Sequence, residues 1–186
     1  MHPIFFTLIF MNVHELPSSE YAAHYKTYVQ TVSNEYNLLE ELEISLHRFI
    51  KFVQNIPLDK FDYRYAEGKW TIKEMIQHLM DSERVFAYRA LRFARNDQTE
   101  LPGYDENAFA IAVNPKANTR KLQEMLTEYT LIRQSSLALF QTFSAEELHH
   151  GGIASQAFMS VRAIGFILIG HQNHHQRIFE ERYLSV

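Results

Sequence analysis

Apolar residues recur every three to four positions along four long stretches of this chain, the period of an α-helix that lies against a core. The first stretch runs from about Asn34 to Gln54 and places Leu38, Leu42, Leu46, Phe49 and Val53 on one face. A shorter amphipathic stretch, Tyr21 to Val32, precedes it. The second begins at Thr71-Ile72-Lys73-Glu74, a capping-box pattern, and continues to about Arg95 through Met75, Leu79, Phe86, Ala90 and Phe93. The third, from about Thr119 to Phe143, uses Leu122, Met125, Tyr129, Ile132 and Phe140. The fourth follows Ser160, which reads as an N-cap, and reaches about Tyr183 with Ile164, Ile167, Leu168 and Ile178 inward. No stretch alternates apolar and polar residues for long enough to demand a strand. The pattern predicts an all-α fold, an antiparallel four-helix bundle with a short extra N-terminal helix. Its connections are uneven, with long ones over Asp97 to Asn118 and His149 to Met159. Long ordered connections in a small bundle often serve as lids or crossovers, and over a wholly apolar core they would have little to cover.

Composition narrows the partners. The 186 residues, 46% hydrophobic and 22% charged, suit one domain with a sizeable core, expected over residues 19–186 after an N-terminal extension over 1–18. The leading MHPIFFTLIFM is apolar but far too short to span a bilayer. It also lacks the basic region and small-residue cleavage site of a secretory signal. With Met11 standing before a polar stretch, it reads as a disordered extension or a start placed too early. The net charge of -4 carries no basic excess, which argues against a nucleic-acid partner, and nothing calls for a membrane. The absence of cysteine excludes disulfides, thiolate ligands and a cysteine nucleophile, and suits the cytoplasm. Any metal must then be held by nitrogen and oxygen, which favours Zn, Ni, Fe or Mn.

Histidine supplies the candidate chemistry. His171 and His175 are four residues apart on the fourth helix and fall on either side of the centre of its inward stripe. Two buried imidazoles one turn apart need a metal or hydrogen-bond partners, and the spacing alone allows either. His174 lies at the stripe's edge and is the poorer ligand. On the second helix His78 sits on the flank of the apolar stripe with Ser82, Val85 and Arg89, and taken alone it reads as a boundary histidine rather than a ligand. Asp81, three residues on, is placed to accept a hydrogen bond from its second ring nitrogen, or to be a solvated carboxylate. His149 and His150, beside Gly151-Gly152, read as surface residues.

Several segments together resemble the DinB/YfiT-like family of four-helix-bundle metalloproteins. They are Tyr65-Ala66-Glu67-Gly68-Lys69-Trp70-Thr71-Ile72-Lys73-Glu74 with Gln77-His78-Leu79; Glu83-Arg84-Val85-Phe86 through Arg95; Leu101-Pro102-Gly103-Tyr104-Asp105-Glu106-Asn107; and Ser160-Val161-Arg162-Ala163 leading into Gly170-His171-Gln172-Asn173-His174-His175. The resemblance covers roughly Tyr21 to Tyr183. It implies a divalent metal held by His78, His171 and His175, and a homodimer. It also implies an enzyme acting on a small-molecule substrate, either a metal-dependent hydrolase or a transferase that uses a low-molecular-weight thiol.

Three neutral imidazoles would leave a divalent ion its full charge, acidifying a bound water or thiol. Hydrolysis and thiol S-transfer are therefore both open, and substrate contacts decide between them. Arg89, Tyr104 and Glu106 are the candidate contacts. Each has a plainer alternative: an ion pair for Arg89, turn packing for Tyr104, a cap for Glu106. A non-catalytic reading, a metal-stabilised bundle used for binding or dimerisation, stands beside the enzymatic one. An open cleft at the histidines favours the enzyme, and a cleft filled with aromatic rings favours the binding module.

Overall fold

The computed structural model describes residues 11–185. Single turns of 3-10 helix at Val13–Glu15, Ser18–Glu20 and Ala23–Tyr25 lead into a one-turn helix, α1 (Lys26–Val29). Part of the segment expected to stand apart from the domain instead packs on it. Met11, Val13 and Leu16 are buried, and Leu38 N donates to the Met11 carbonyl at 2.9 Å. Glu20, just inside the expected domain, accepts from Arg162 and from Ser160 Oγ at the start of the last helix. Residues 1–10 lie outside the described residues.

Four long helices follow the sequence pattern closely. α2 (Leu38–Gln54) starts later than the periodicity suggests because Asn37 caps it, accepting from the amides of Leu39 and Glu40 while Glu40 reaches back to Asn37 N. α3 (Ile72–Ala94) begins at the predicted Thr71–Glu74 box, and Glu74 also receives both Arg64 Nη1 and Nη2 at 2.6 Å. The Asp97–Asn118 connection is itself largely helical: α4 (Glu106–Thr119) is capped by Asp105. Its sequence shows no clear apolar face, and the internal Pro115 reads as a breaker, so periodicity alone misses it.

α5 (Leu122–Phe140) and α6 (Ala145–His149) come next. The second long connection is an antiparallel hairpin, β1 (Gly151–Ala154) and β2 (Ala157–Ser160), where no strand was expected. Four-residue strands are too short to show alternation. The hairpin closes through Ser155 and Gln156, both with left-handed backbone (φ 51° and 64°), the conformation of a tight two-residue turn. Leu101 lies beside Ala154, donating to the Ile153 carbonyl and accepting from Ser155 N, so the two long connections meet. α7 (Val161–Phe179), capped by Ser160 as predicted, ends in a wider turn over Glu180–Leu184.

α3 packs on α5 and α7, and α2 packs on the same two helices, so α2 and α3 occupy opposite corners of the bundle. α1 lies on α7 and α4 on α3. The apolar interior is split in two. One half gathers Leu38, Leu42, Phe86, Phe140 and Ile167; the other gathers Leu46, Phe49, Leu79, Tyr129 and Phe179. Between the halves, each long core helix presents polar residues: Ser45 on α2, Ser82 and Glu83 on α3, Arg133 on α5, and His171, Gln172 and His175 on α7. A polar layer therefore crosses the middle of the bundle.

Candidate metal centre

His78, His171 and His175 converge in that layer. His78 Nε2 and His175 Nε2 each lie 3.0 Å from His171 Nε2, and the three residues form a group able to hold a metal ion. Nitrogens bound at about 2.0–2.1 Å to one tetrahedral ion stand about 3.3 Å apart, close to this arrangement. Each histidine retains only 6–7% of its surface. Burial lowers His78 to about 4 and, joined by the neighbouring imidazoles, holds His171 and His175 well below the usual histidine range. All three rings are thus neutral around pH 7, the form that binds a cation. His175 Nδ1 is buried without a hydrogen-bond partner. An ion on the Nε2 side would place the ring protons on the Nδ1 atoms, so the donor set fits a divalent metal, leaving this one N–H unsupported.

Aromatic rings wall the cluster. Tyr28 of α1 stacks on His171 with centroids 5.3 Å apart at 30°, and Trp70 lies 5.1 Å from His78. The Tyr28 contact depends on Gly170, where a Cβ would strike the Tyr28 carbonyl; without one, α1 settles directly onto α7. Neither ring is recognisable as part of the site from sequence. Ser82 was passed over too, although it sits one turn beyond His78 on the same stripe.

The remaining candidates separate. Asp81 does not support His78: its Oδ1 accepts from Gln77 Nε2 at 3.0 Å and lies 3.7 Å from Arg84, which leaves it a helix-face carboxylate. Asp81, Arg84, Val85, Phe109, Ala112 and Val113 line a groove of about 430 Å³ between α3 and α4, which none of the three histidines lines. Arg89 is 2% exposed; its Nη2 donates to Ser155 Oγ at 2.8 Å and to the Pro102 carbonyl at 3.3 Å. It thereby fastens the hairpin turn and the segment before α4 to α3, with its guanidinium 5.3 Å and 5.8 Å from the Phe86 and Tyr104 rings. Tyr104 donates to Ser82 Oγ at 3.0 Å, and burial pushes its hydroxyl up to about 12. Glu106, the first residue of α4, is solvent-accessible. Crowding still raises its carboxyl, against the pull of the Tyr104 hydroxyl and the Arg89 charge. Its charge is felt by Tyr25 and Tyr28 as well, which puts it on the Tyr28 side of the cluster.

The chain belongs to the DinB superfamily, whose family model matches residues 41–179. It is similar to a protein of Oceanobacillus iheyensis that carries the provisional name of a metal-dependent hydrolase, with 22% identity over 147 residues, 78% of this chain and 83% of that one. The fold is that of YfiT from Bacillus subtilis, described as a probable metal-dependent hydrolase with an unusual four-helix bundle topology. That likeness has a TM-score of 0.67 at 19% identity and covers 80% of this chain and 85% of the other. The four-helix bundle expected from sequence is the fold found. Among the described residues, no helix is long and apolar enough to cross a membrane.

Proposed function

We propose that the protein is a metal-dependent hydrolase of a small molecule, with His78, His171 and His175 holding a divalent ion. The observation that carries this is the convergence of three neutral imidazoles as a set of three. A closed structural zinc site takes four protein ligands, whereas three leave a position for an exchangeable one. When bound there, the ion supplies Lewis acidity and makes a coordinated water or thiol more acidic. The chain's own residues do the rest. Tyr28 and Trp70 exclude bulk water from two sides of the histidines. Glu106, with its carboxyl raised by crowding, is suited to accept and return a proton beside the substrate. Tyr104, anchored on Ser82, offers a phenol that keeps its proton at neutral pH and donates a hydrogen bond. Arg89 acts by holding the segment that carries both.

The hydrolase names of the two relatives support hydrolysis over S-transfer. A transferase would draw its nucleophile from a low-molecular-weight thiol, since the chain has no cysteine. Elemental analysis of the purified protein, with a panel of esters and amides and a parallel panel of thiols with electrophiles, tests the reading. One metal per chain and hydrolysis that a chelator removes are expected. Metal-dependent thiol consumption without hydrolysis would move the assignment to S-transfer. The near-complete burial of the histidines under Tyr28 and Trp70 favours a second reading, a metal-stabilised binding module; bound metal with no turnover in either panel is its signature.

A further inference from the structure

We infer that the buried Glu83–Arg133 network is the positioning device of the metal centre, fixing α3 against α7 so that His78 meets His171 and His175. The inference rests on the assignment of those histidines as ligands. The network lies in the same polar layer and joins all four core helices. Arg133 Nε and Nη2 of α5 donate to the two carboxylate oxygens of Glu83 of α3 at 2.8 Å and 3.0 Å, a planar bidentate pair. Arg133 Nη1 donates to Ser45 Oγ of α2 at 3.0 Å. Tyr129 of α5 donates to Gln172 Oε1 of α7 at 2.7 Å, and Gln172 Nε2 donates to the Ser45 carbonyl at 3.0 Å. The residues are nearly sealed from water, with Arg133 and Gln172 at 1% and Glu83 at 3% exposure.

Two of these anchors adjoin the ligands. Glu83 stands little more than one turn beyond His78 on α3, and Gln172 follows His171 on α7. Held at both ends of its amide, Gln172 stops α7 from rotating about its axis, a motion that would swing His171 and His175 off the common point. The bidentate pair stops α3 from sliding. A slip of one residue displaces a helix by about 1.5 Å along its axis, more than a metal's coordination sphere tolerates. Apolar packing alone accepts such shifts far more readily than a directional polar network does. An ion pair this deeply buried is commonly no more stabilising than apolar residues of similar size, so the stability of the bundle does not by itself account for it.

The test is metal affinity measured at matched folding. Full-length wild type, a Glu83→Leu/Arg133→Met double variant and Gln172→Leu are stripped with chelator. Each is then titrated with Co2+, followed by its visible absorption, and with Zn2+ in competition with an indicator, at a temperature where circular dichroism shows each variant folded. The double variant is expected to melt at or above the wild-type temperature yet bind both metals about ten- to a hundred-fold more weakly, with an altered Co2+ spectrum. Gln172→Leu should move in the same direction by less, and it carries the test if the double variant does not fold. Folded variants with wild-type affinity and spectrum would overturn the inference, as would affinity losses that merely track lowered melting temperatures. Wild type that takes up no metal would overturn the ligand assignment and this inference together.

Discussion

Two polar clusters share the middle layer of this bundle, and they are built on opposite terms. In the Glu83–Arg133 network every carboxylate oxygen of Glu83 and both ends of the Gln172 amide are engaged, and the cluster closes on itself. In the histidine cluster the Nε2 atoms of His78 and His175 both converge on His171 Nε2 at 3.0 Å, nitrogens facing nitrogens, a set that a shared cation would complete. Burial makes an unsatisfied polar group expensive, so a closed network reads as architecture and an open one as a place for something else to bind. The contrast supports the proposed site more firmly than the histidine spacing does.

The comparison breaks most completely at His171, which both other imidazoles approach. His171→Ala should abolish stoichiometric metal binding, read by elemental mass spectrometry, while the far-ultraviolet circular dichroism stays helical. If the open cluster is a metal site, a chelator should lower the melting temperature of wild type by roughly 5–10 °C, corresponding to metal held near a hundredfold over its dissociation constant. The variant should not respond. Equal metal in both proteins would remove the assignment.

The closed cluster fails differently. Arg133→Met alone leaves Glu83 buried and unpaired, and urea unfolding should show a loss of about 3–5 kcal/mol. A loss near zero would mean that Glu83 had escaped to water and that the network is not closed. Gly170→Ala acts on the wall of the open cluster: the new methyl meets the Tyr28 backbone and lifts α1 from α7, at about 1–3 kcal/mol. Increased solvent access at His171, visible as faster carbethoxylation of the metal-free protein, should accompany that loss. An unchanged rate would show that Tyr28 does not cover the ring.

Glu41 is an intermediate case and gives the smallest effect. It is fully buried; one oxygen accepts from Arg48 at 3.3 Å and the other has no partner. Burial raises its carboxyl above the ordinary 4.5, against the pull of Arg48. A carboxyl that holds its proton more tightly in the folded chain favours folding in acid. It withdraws that support as the pH rises from its unfolded value through the folded one. Glu41→Met should therefore raise the melting temperature at pH 7 by about 2–4 °C, the equivalent of about 1 kcal/mol, and the gain should shrink towards pH 4. A gain that is the same at both values would mean that the charge is not its source.

The bundle was legible because Leu42, Leu46, Phe49 and their counterparts repeat at helical spacing and because Thr71 and Ser160 announce their helices. α4 and the hairpin were not. α4 has no distinct apolar face and carries Pro115, while the hairpin's turn is made by Ser155 and Gln156, side chains that seldom adopt left-handed backbone. At the site, the pair on α7 was visible from its spacing. From its helix alone His78 reads as a boundary residue, because it lies on the flank of the apolar stripe, and its burial beside His171 comes from the packing of α3 on α7. The Tyr28 wall depends on α1 folding back onto the last helix, a contact between distant segments that local pattern cannot reveal. Arg89 shows the same limit: its place on the site stripe suggests a substrate contact, and only the folded chain shows that its Nη2 also fastens Pro102 and Ser155.

His78 and His171 are 93 residues apart in the chain yet share one contact. During synthesis on the ribosome, the growing polypeptide exposes a lone imidazole from the second long helix well before the last helix emerges. If the three histidines hold a cation as proposed, no intermediate that lacks the last helix offers the full set of nitrogens, and metal uptake would follow the emergence of α7.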